Sequence, residues 1–361
     1  MSLTVNTAGL NAARSLAVAK FGGTSVADYQ AMLRCGNIIK NDPANKVVVV
    51  SASAGVTNYL VRLSQKDVGV QEREEIINAI SQIQYNIRRH LPEEAALDES
   101  LQALIAELEL LAGQQAQEYK VQMADAILSF GEQFSSLLFT RVLRSLDVAA
   151  ACFDVRRVMK TNSLYGKAVV DTGQLKDNCR EFLLPELAEQ VIVTQGFIGS
   201  DSLGHTTTLG RGGSDYSAAM LAEALDGDNL AIWTDVVGIF TTDPRITDQA
   251  RAIKEISFGE AAEMATFGAK ILHPATLIPA MRQNIPVFVG SSKEPEKGGT
   301  KIQQEVESAP TYRSIALRRE QTLVTVKSPA MLHANGFLAE VFTILAKHEL
   351  SVDLITTSEI S

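Results

Sequence analysis

Unbroken β-branched runs alternating with amphipathic stretches set the pattern of this chain. Residues 46–51 (KVVVVS) form an apolar run of the kind that marks a strand buried on both faces of a parallel sheet. Residues 15–21 (SLAVAKF) read as an earlier strand ending at Gly22 and Gly23. Residues 26–40 between them have helical spacing, which predicts a β-α-β unit. Ile76, Ile80, Ile83 and Ile87 recur at three- and four-residue steps, and so do Leu97, Leu101, Leu104, Leu108 and Leu111. Both sets face a charged side, which predicts two amphipathic helices packed as a hairpin on the sheet. A third helix is expected from about residue 123 to 146, with Gly131 and Glu132 at its middle. Strands are then expected at 191–194, 230–234 and 286–289, and helices at 214–225, 258–267 and 274–282. This alternation predicts a three-layer α/β/α sheet, with functional groups in loops beyond the carboxyl ends of its strands.

Residues 292–300 (SKEPEKGGT) read as a loop. Beyond it come a strand at 321–327, a helix at 336–348 and a strand at 350–356, a small β-α-β piece. Such a piece lacks strands to pair with. The expectation is that the chain is truncated there, or that the piece is completed by another copy or a missing segment. The first twenty or so residues lack the long apolar stretch of a signal peptide and read as a short extension.

A length of 361 residues suggests two domains, or one large α/β domain with an appendage. The net charge is −9 and no Lys/Arg-rich run occurs, which argues against a nucleic-acid partner. Cations that hold an anionic ligand must therefore be few and local. Cys35, Cys152 and Cys179 are odd in number and form no CxxC pair. They argue against a disulfide framework or zinc site, fit a reducing cytoplasm, and read as packed or partly buried thiols. No apolar run is long enough to span a bilayer, so no membrane partner is expected.

Four segments can carry chemistry. In residues 20–25 (KFGGTS), two glycines after a strand let backbone amides approach phosphate oxygens, and Lys20 adds a point charge. The spacing is not that of a Walker A loop, and a strand ending in a Gly-Gly turn is common. In residues 208–215 (TLGRGGSD), three glycines surround Arg211 and open a helix that Ser214 or Asp215 can cap. The free amides there favour an anion, and Arg211 can grip a carboxylate with two bonds. Residues 233–245 (WTDVVGIFTTDPR) carry a buried strand into a polar loop, read equally well as a capped surface turn. Residues 267–274 (FGAKILHP) place Lys270 at a helix end, with His273 read as structural. Glu132 is either an exposed helix position or a contact for a ligand ammonium. Neither a GxSxG elbow nor an HExxH pair is present.

Together with residues 50–58 (VSASAGVTN), 129–132 (SFGE) and 194–199 (TQGFIG), these segments resemble the aspartokinases of the wider amino-acid kinase family, most closely the monofunctional lysine-sensitive type. The resemblance covers nearly the whole chain. It implies an amino-acid kinase domain over residues 1–305, with a helical insertion at 65–120. It also implies the start of a ferredoxin-like ACT regulatory domain over 306–361. The implied reaction is transfer of phosphate from ATP, with Mg2+, to the side-chain carboxylate of L-aspartate, which gives 4-phospho-L-aspartate. That is the entry step to lysine, threonine and methionine synthesis.

By the same resemblance Lys20, Asp215 and Lys270 are catalytic, and Thr57, Glu132, Arg211, Gly212, Gly213 and Ser214 bind aspartate. Lys20, Gly22, Gly23, Ser51, Thr234, Asp235, Phe240, Arg245, Lys270 and Ile271 hold the nucleotide. Met331, Gly336, Leu338, Ser351, Val352 and Asp353 contribute to a site for an amino-acid effector, lysine, which inhibits the full-length protein. A cytoplasmic homodimer or higher homo-oligomer is implied. Family members often carry Tyr where Phe240 stands, so a polar contact is lost there. A carboxylate nucleophile has an ordinary pKa of about 3.9 and is already ionised at neutral pH. No general base is needed, in keeping with a chain that offers no evident catalytic His. The rival readings are a kinase for glutamate, N-acetylglutamate or a nucleoside monophosphate, and an inactive amino-acid sensor.

Overall fold

The computed structural model describes residues 15–268, 272, 274–307, 310–317, 322–327, 335–350, 352 and 354–356. The chain divides into two compact units, residues 1–317 and 318–361. Among the described residues the strands are β1 Ala17–Phe21, β2 Asn45–Val50, β3 Ala150–Phe153, β4 Val191–Gln195, β5 Ile198–Ser200, β6 Thr206–Thr208, β7 Asn229–Thr234, β8 Glu255–Ser257, β9 Val287–Ser291 and β10 Gly299–Gln303. The helices are α1 Tyr29–Asn41, α2 Val56–Leu63, α3 Val70–Arg88, α4 Ala95–Gln117, α5 Val121–Ser145, α6 Thr172–Asn178, α7 Gly213–Ala224, α8 Phe258–Thr266, α9 Pro274–Arg282 and, in the second unit, α10 Phe337–Lys347.

Eight strands form one sheet in the order β3-β4-β2-β1-β7-β9-β10-β8, and β5 with β6 makes a separate hairpin. Every pairing in the large sheet is parallel except β9 with β10. The apolar run of β2 shows why the sheet is covered on both sides. Val47 and Val49 join Ile192, Leu230 and the α7 residues Ala218 and Leu221 on one face. Val48 and Val50 join Met32 of α1 and Leu138, Phe139 and Val142 of α5 on the other. All four valines are fully buried, each contributing roughly 1.5–3 kcal/mol relative to an exposed position. A third apolar cluster, including Leu60, Ile80, Leu101, Leu108 and Phe134, joins α2, α3 and α4 to α5.

The predicted β-α-β alternation is the observed one, and the three-layer arrangement follows from it. Residues 292–298 are the expected loop, but Gly299 and Thr300 belong to β10. A 3-10 turn at Pro295–Lys297 is followed directly by β10. Gly298 and Gly299 look like loop residues, yet Gly299 stands opposite Gly290 in the ladder. A Cβ at 299 would collide with the Val289 carbonyl, so glycine serves strand pairing here. Strands β3, β5, β6 and β8, of three or four residues each, are too short to print a period. Cys35 and Cys179 are buried as expected, but Cys152 is exposed, because β3 is the edge strand. Its Sγ still lies 3.7 Å from Ser136 Oγ. The helix expected at 336–348 is α10, which starts after Gly336 at φ 87°. Of the flanking strands expected at 321–327 and 350–356, the described residues 322–327, 350, 352 and 354–356 form none, and Gln321, Met331, Ser351 and Asp353 lie outside the described residues.

Candidate active site

The parallel strands end in register. Phe21 stands opposite Val50 and Trp233, and Val50 opposite Gln195. Ser291 closes β9 opposite Thr234. The loops that follow β1, β2, β4, β7 and β9 therefore leave one edge of the sheet, where the fold predicts a ligand.

Lys20 is the penultimate residue of β1 and is buried. Its Nζ lies 2.5 Å from Asp215 Oδ1 in the first turn of α7. Oδ1 accepts no well-aligned hydrogen bond, so the contact is ionic. A buried ammonium needs such a partner, because stripping its water is costly. Asp215 in turn holds Lys20 at the mouth of the Gly22-Gly23 turn. A Cβ on Gly23 would sit 2.8 Å from the Ala52 carbonyl, so only glycine lets the loops after β1 and β2 touch.

The start of α7 corrects the expected cap. Neither Ser214 nor Asp215 is the N-cap; that position is Gly212, at φ 74°, with no side-chain cap. Gly210 is also left-handed, at φ 78°. The Gly213 N–H is taken by the Gly210 carbonyl, but no side-chain oxygen caps the amides that follow, a ready anion site. Gly196 makes room for this turn, since a Cβ there would meet Ser214 Cβ at 2.6 Å. Arg211 is exposed and forms no ion pair among the described residues.

Glu132 is not the exposed helix position of its first reading. It is 5% exposed, and Oε1 accepts the Ala52 N–H at 3.0 Å. Gly131 permits the approach, because a Cβ there would lie 2.5 Å from Ala52 Cβ. Burial pushes the Glu132 carboxyl up to about 8, opposed by the Ala52 hydrogen bond and by the charge of Lys20. Ser51 bridges the same two elements: its carbonyl accepts Ser135 Oγ at 2.7 Å, and its N–H donates to Phe21 O at 3.1 Å. Thr57 is exposed in the first turn of α2, whose N-cap Gly55 is left-handed and gives no side-chain cap.

The loop after β7 is the more open side. Asp235 is exposed and its Oδ1 accepts Thr234 Oγ1 at 3.2 Å. Phe240 is half-buried and bridges to Ala252. Arg245 is exposed and paired with Asp243 at 2.7 Å, so its guanidinium is already engaged within the loop. Lys270 and Ile271 lie outside the described residues. The structure thus brings together Lys20, Gly22, Gly23, Ser51, Glu132 and the Gly212–Asp215 turn. It joins Thr234 to them through a hydroxyl chain, in which Ser292 Oγ donates to Thr234 O at 3.1 Å and shares a 2.6 Å bond with Ser25 Oγ. No described contact ties Phe240 or Arg245 to that group.

Two residues of the site carry no local signal in the sequence. Ser292 is one. Phe197 is the other, a non-glycine residue at φ 68°. Its N–H donates to Ser217 Oγ and its carbonyl accepts the Leu209 N–H, both at 2.9 Å. Strain of this kind persists only where surrounding bonds hold it. Here it presses the ring against Gly213 and helps to place the α7 turn. The Gly196 before it was the available hint.

A buried lysine, a glycine-lined turn and a buried acid at one sheet edge suit the meeting of two anions. Residues 15–291 match the amino acid kinase family. Within that family the chain is 53% identical over 348 residues to lysine-sensitive aspartokinase 3 of Escherichia coli (strain K12), covering 96% of this chain and 77% of that one. It is 35% identical to an aspartokinase of Chlamydia pneumoniae, covering 94% and 74% of the two chains. The solved structure of E. coli aspartokinase III with aspartate and ADP superposes with a TM-score of 0.87, at 53% identity and 96% and 77% coverage. The same enzyme with lysine and aspartate gives 0.86. The chain belongs to the aspartokinases of the amino-acid kinase family. It is an ATP-dependent kinase.

Proposed function

We propose that this site holds L-aspartate between Glu132 and Arg211 while its side-chain carboxylate attacks the γ-phosphorus of ATP. One carboxylate oxygen forms the new P–O bond, the bond to the β–γ bridging oxygen breaks, and ADP leaves with that electron pair. No proton has to be removed from the nucleophile. The obstacle is charge, because an anion must approach an anion, and the remedy is positioning and neutralisation. The buried Lys20–Asp215 pair beside Glu132 carries this reading.

Lys20 and the Gly22-Gly23 turn face the phosphates, and Lys270 adds a second cation. Glu132 takes the α-ammonium. Arg211 takes the α-carboxylate, with Gly212, Gly213 and Ser214 of the α7 turn beside it, and Thr57 adds a hydroxyl. Ser51, Thr234, Asp235, Phe240, Arg245 and Ile271 line the nucleotide. Among the described residues no group of three or more His, Cys, Asp or Glu stands together as a metal nest. Mg2+ then arrives on the nucleotide, bound chiefly by phosphate oxygens and water, and neutralises phosphate charge. Residues 1–305 act as the kinase domain, with 65–120 as its helical insertion. Residues 306–361 act as the ACT part, where Gly336, Leu338 and Val352, with Met331, Ser351 and Asp353, contribute to lysine binding. A cytoplasmic homo-oligomer completes the reading. No helix of the described residues is long and apolar enough to cross a membrane.

Arg211→Ala tests the substrate side. A charged hydrogen-bonding group contributes about 1.5–3 kcal/mol, and about 1.4 kcal/mol is tenfold in affinity. Steady-state kinetics should show the KM for aspartate raised roughly 10- to 150-fold, with kcat changed little. An unchanged KM for aspartate removes Arg211 from this role.

A further inference from the structure

Asp125 lies in α5 seven residues before Glu132, close to two helical turns and so on much the same face. It is 2% exposed. Its Oδ2 accepts two backbone N–H groups, from Thr208 at 2.7 Å and from Gly166 at 2.9 Å. The Thr208 hydroxyl also lies against this carboxylate, without a well-aligned bond. Burial raises the acid's pKa against these bonds. A buried charge at a helix–loop junction is costly, and an apolar residue would pack there at less cost unless the bonds matter.

What the bonds hold is the segment that ends in Arg211. Thr208 closes β6, and its carbonyl accepts the Ala168 N–H at 2.8 Å. Leu209 N–H is fastened to Phe197 O. Gly210 packs on the Gly166 carbonyl, which a Cβ would meet at 3.1 Å, and accepts the Gly213 N–H at 3.0 Å. Arg211 follows at once. Two turns further on, near its middle, α5 fixes Glu132 to Ala52. One helix therefore ties both the group proposed for the α-ammonium and the loop proposed for the α-carboxylate.

We infer that Asp125 is a positioning residue that sets the spacing between Glu132 and Arg211, and so the enzyme's grip on the two α-groups of its amino-acid substrate. The inference rests on the reading of Glu132 and Arg211 given above. Asp125 touches neither substrate. It acts through two amides, and because both reach a single oxygen, an asparagine carbonyl can replace it.

The test is the steady-state kinetics of Asp125→Ala, Asp125→Asn, Asp125→Glu and Arg211→Ala, with thermal unfolding of each. Asp125→Ala should raise the KM for aspartate about tenfold or more, with the KM for ATP within about twofold and kcat within about threefold, since two buried amides lose their acceptor. Asp125→Asn should return the KM for aspartate to within about threefold of wild type. Asp125→Glu keeps the charge but moves the acceptor by a methylene, and should also raise the KM for aspartate. It decides the matter if the alanine variant does not fold. A wild-type KM in the folded alanine or glutamate variant overturns the inference. So does an equal rise in both KM values, or an asparagine variant no better than the alanine one. If Arg211→Ala alone raises the KM for aspartate, only the role of Asp125 fails. If Arg211→Ala leaves that KM unchanged, the reading beneath it fails.

Discussion

Lys20→Ala should lower kcat by roughly 10²- to 10³-fold, the usual loss when one preorganised group that stabilises transition-state charge is removed. Lys20 sits at the end of β1 with its Nζ against Asp215, aimed by that pair rather than by a flexible loop. Two further effects follow from burial. Asp215 is left as a charge without its partner, so the variant should lose about 3–5 kcal/mol of stability, less where water reaches the carboxylate. Lys20 also opposes the rise in the Glu132 pKa, so its loss should push that carboxyl higher still. The KM for aspartate should then rise at neutral pH and partly recover in alkaline buffer. Rapid-mixing kinetics across pH, alongside denaturant unfolding, check all three. A variant that turns over at the wild-type rate removes Lys20 from catalysis.

Glu132→Gln should have the opposite signs for binding and stability. In the ligand-free protein the carboxyl titrates near 8, so it holds a proton at neutral pH. Gripping an ammonium requires the carboxylate, so aspartate binding releases a proton. The KM for aspartate should fall as pH rises towards 8, by up to about tenfold per unit, and then level off. In Glu132→Gln that dependence should vanish and the KM rise by roughly 100-fold, the loss of a buried charged contact.

Stability runs the other way. The folded pKa lies above the unfolded value of 4.5, so between them the folded state binds the extra proton. The stability associated with this group is fully present below the unfolded pKa and is lost as pH rises through the folded one. The limit is about 1.4 kcal/mol per pH unit. Glutamine cannot titrate, so the variant should gain on the wild type from pH 5 to pH 8 in urea unfolding. Parallel unfolding curves at both pH values would contradict the burial argument.

The elements that the chain's pattern predicts well are those whose periodicity is local. The valine run of β2 and the isoleucine and leucine ladders of α3 and α4 declare strand and helix without reference to any partner. The turns after β1 and before α7 were legible because glycines cluster there and little else explains them. What escaped depends on distant partners. Glu132 reads the same whether exposed or buried until Ala52, eighty residues away, is seen to cap it. Gly298 and Gly299 read as a loop because glycine usually breaks strands, yet β10 needs Gly299 to lie on Val289. The α7 cap was assigned to Ser214 or Asp215 on residue preference, but a left-handed Gly212 holds the position and frees the amides. Arg245 has an ion-pair partner two residues away, in Asp243, which spacing alone does not reveal.

The most direct measurement is trapping of the acyl phosphate with hydroxylamine after incubation with ATP, Mg2+ and either L-aspartate or L-glutamate. Hydroxamate with aspartate and none above background with glutamate is the predicted result, and it should disappear in Lys20→Ala. Hydroxamate with glutamate alone would keep the chemistry and contradict the assignment of Glu132 and Arg211 to aspartate. None with either would contradict phosphoryl transfer to a side-chain carboxylate at this site.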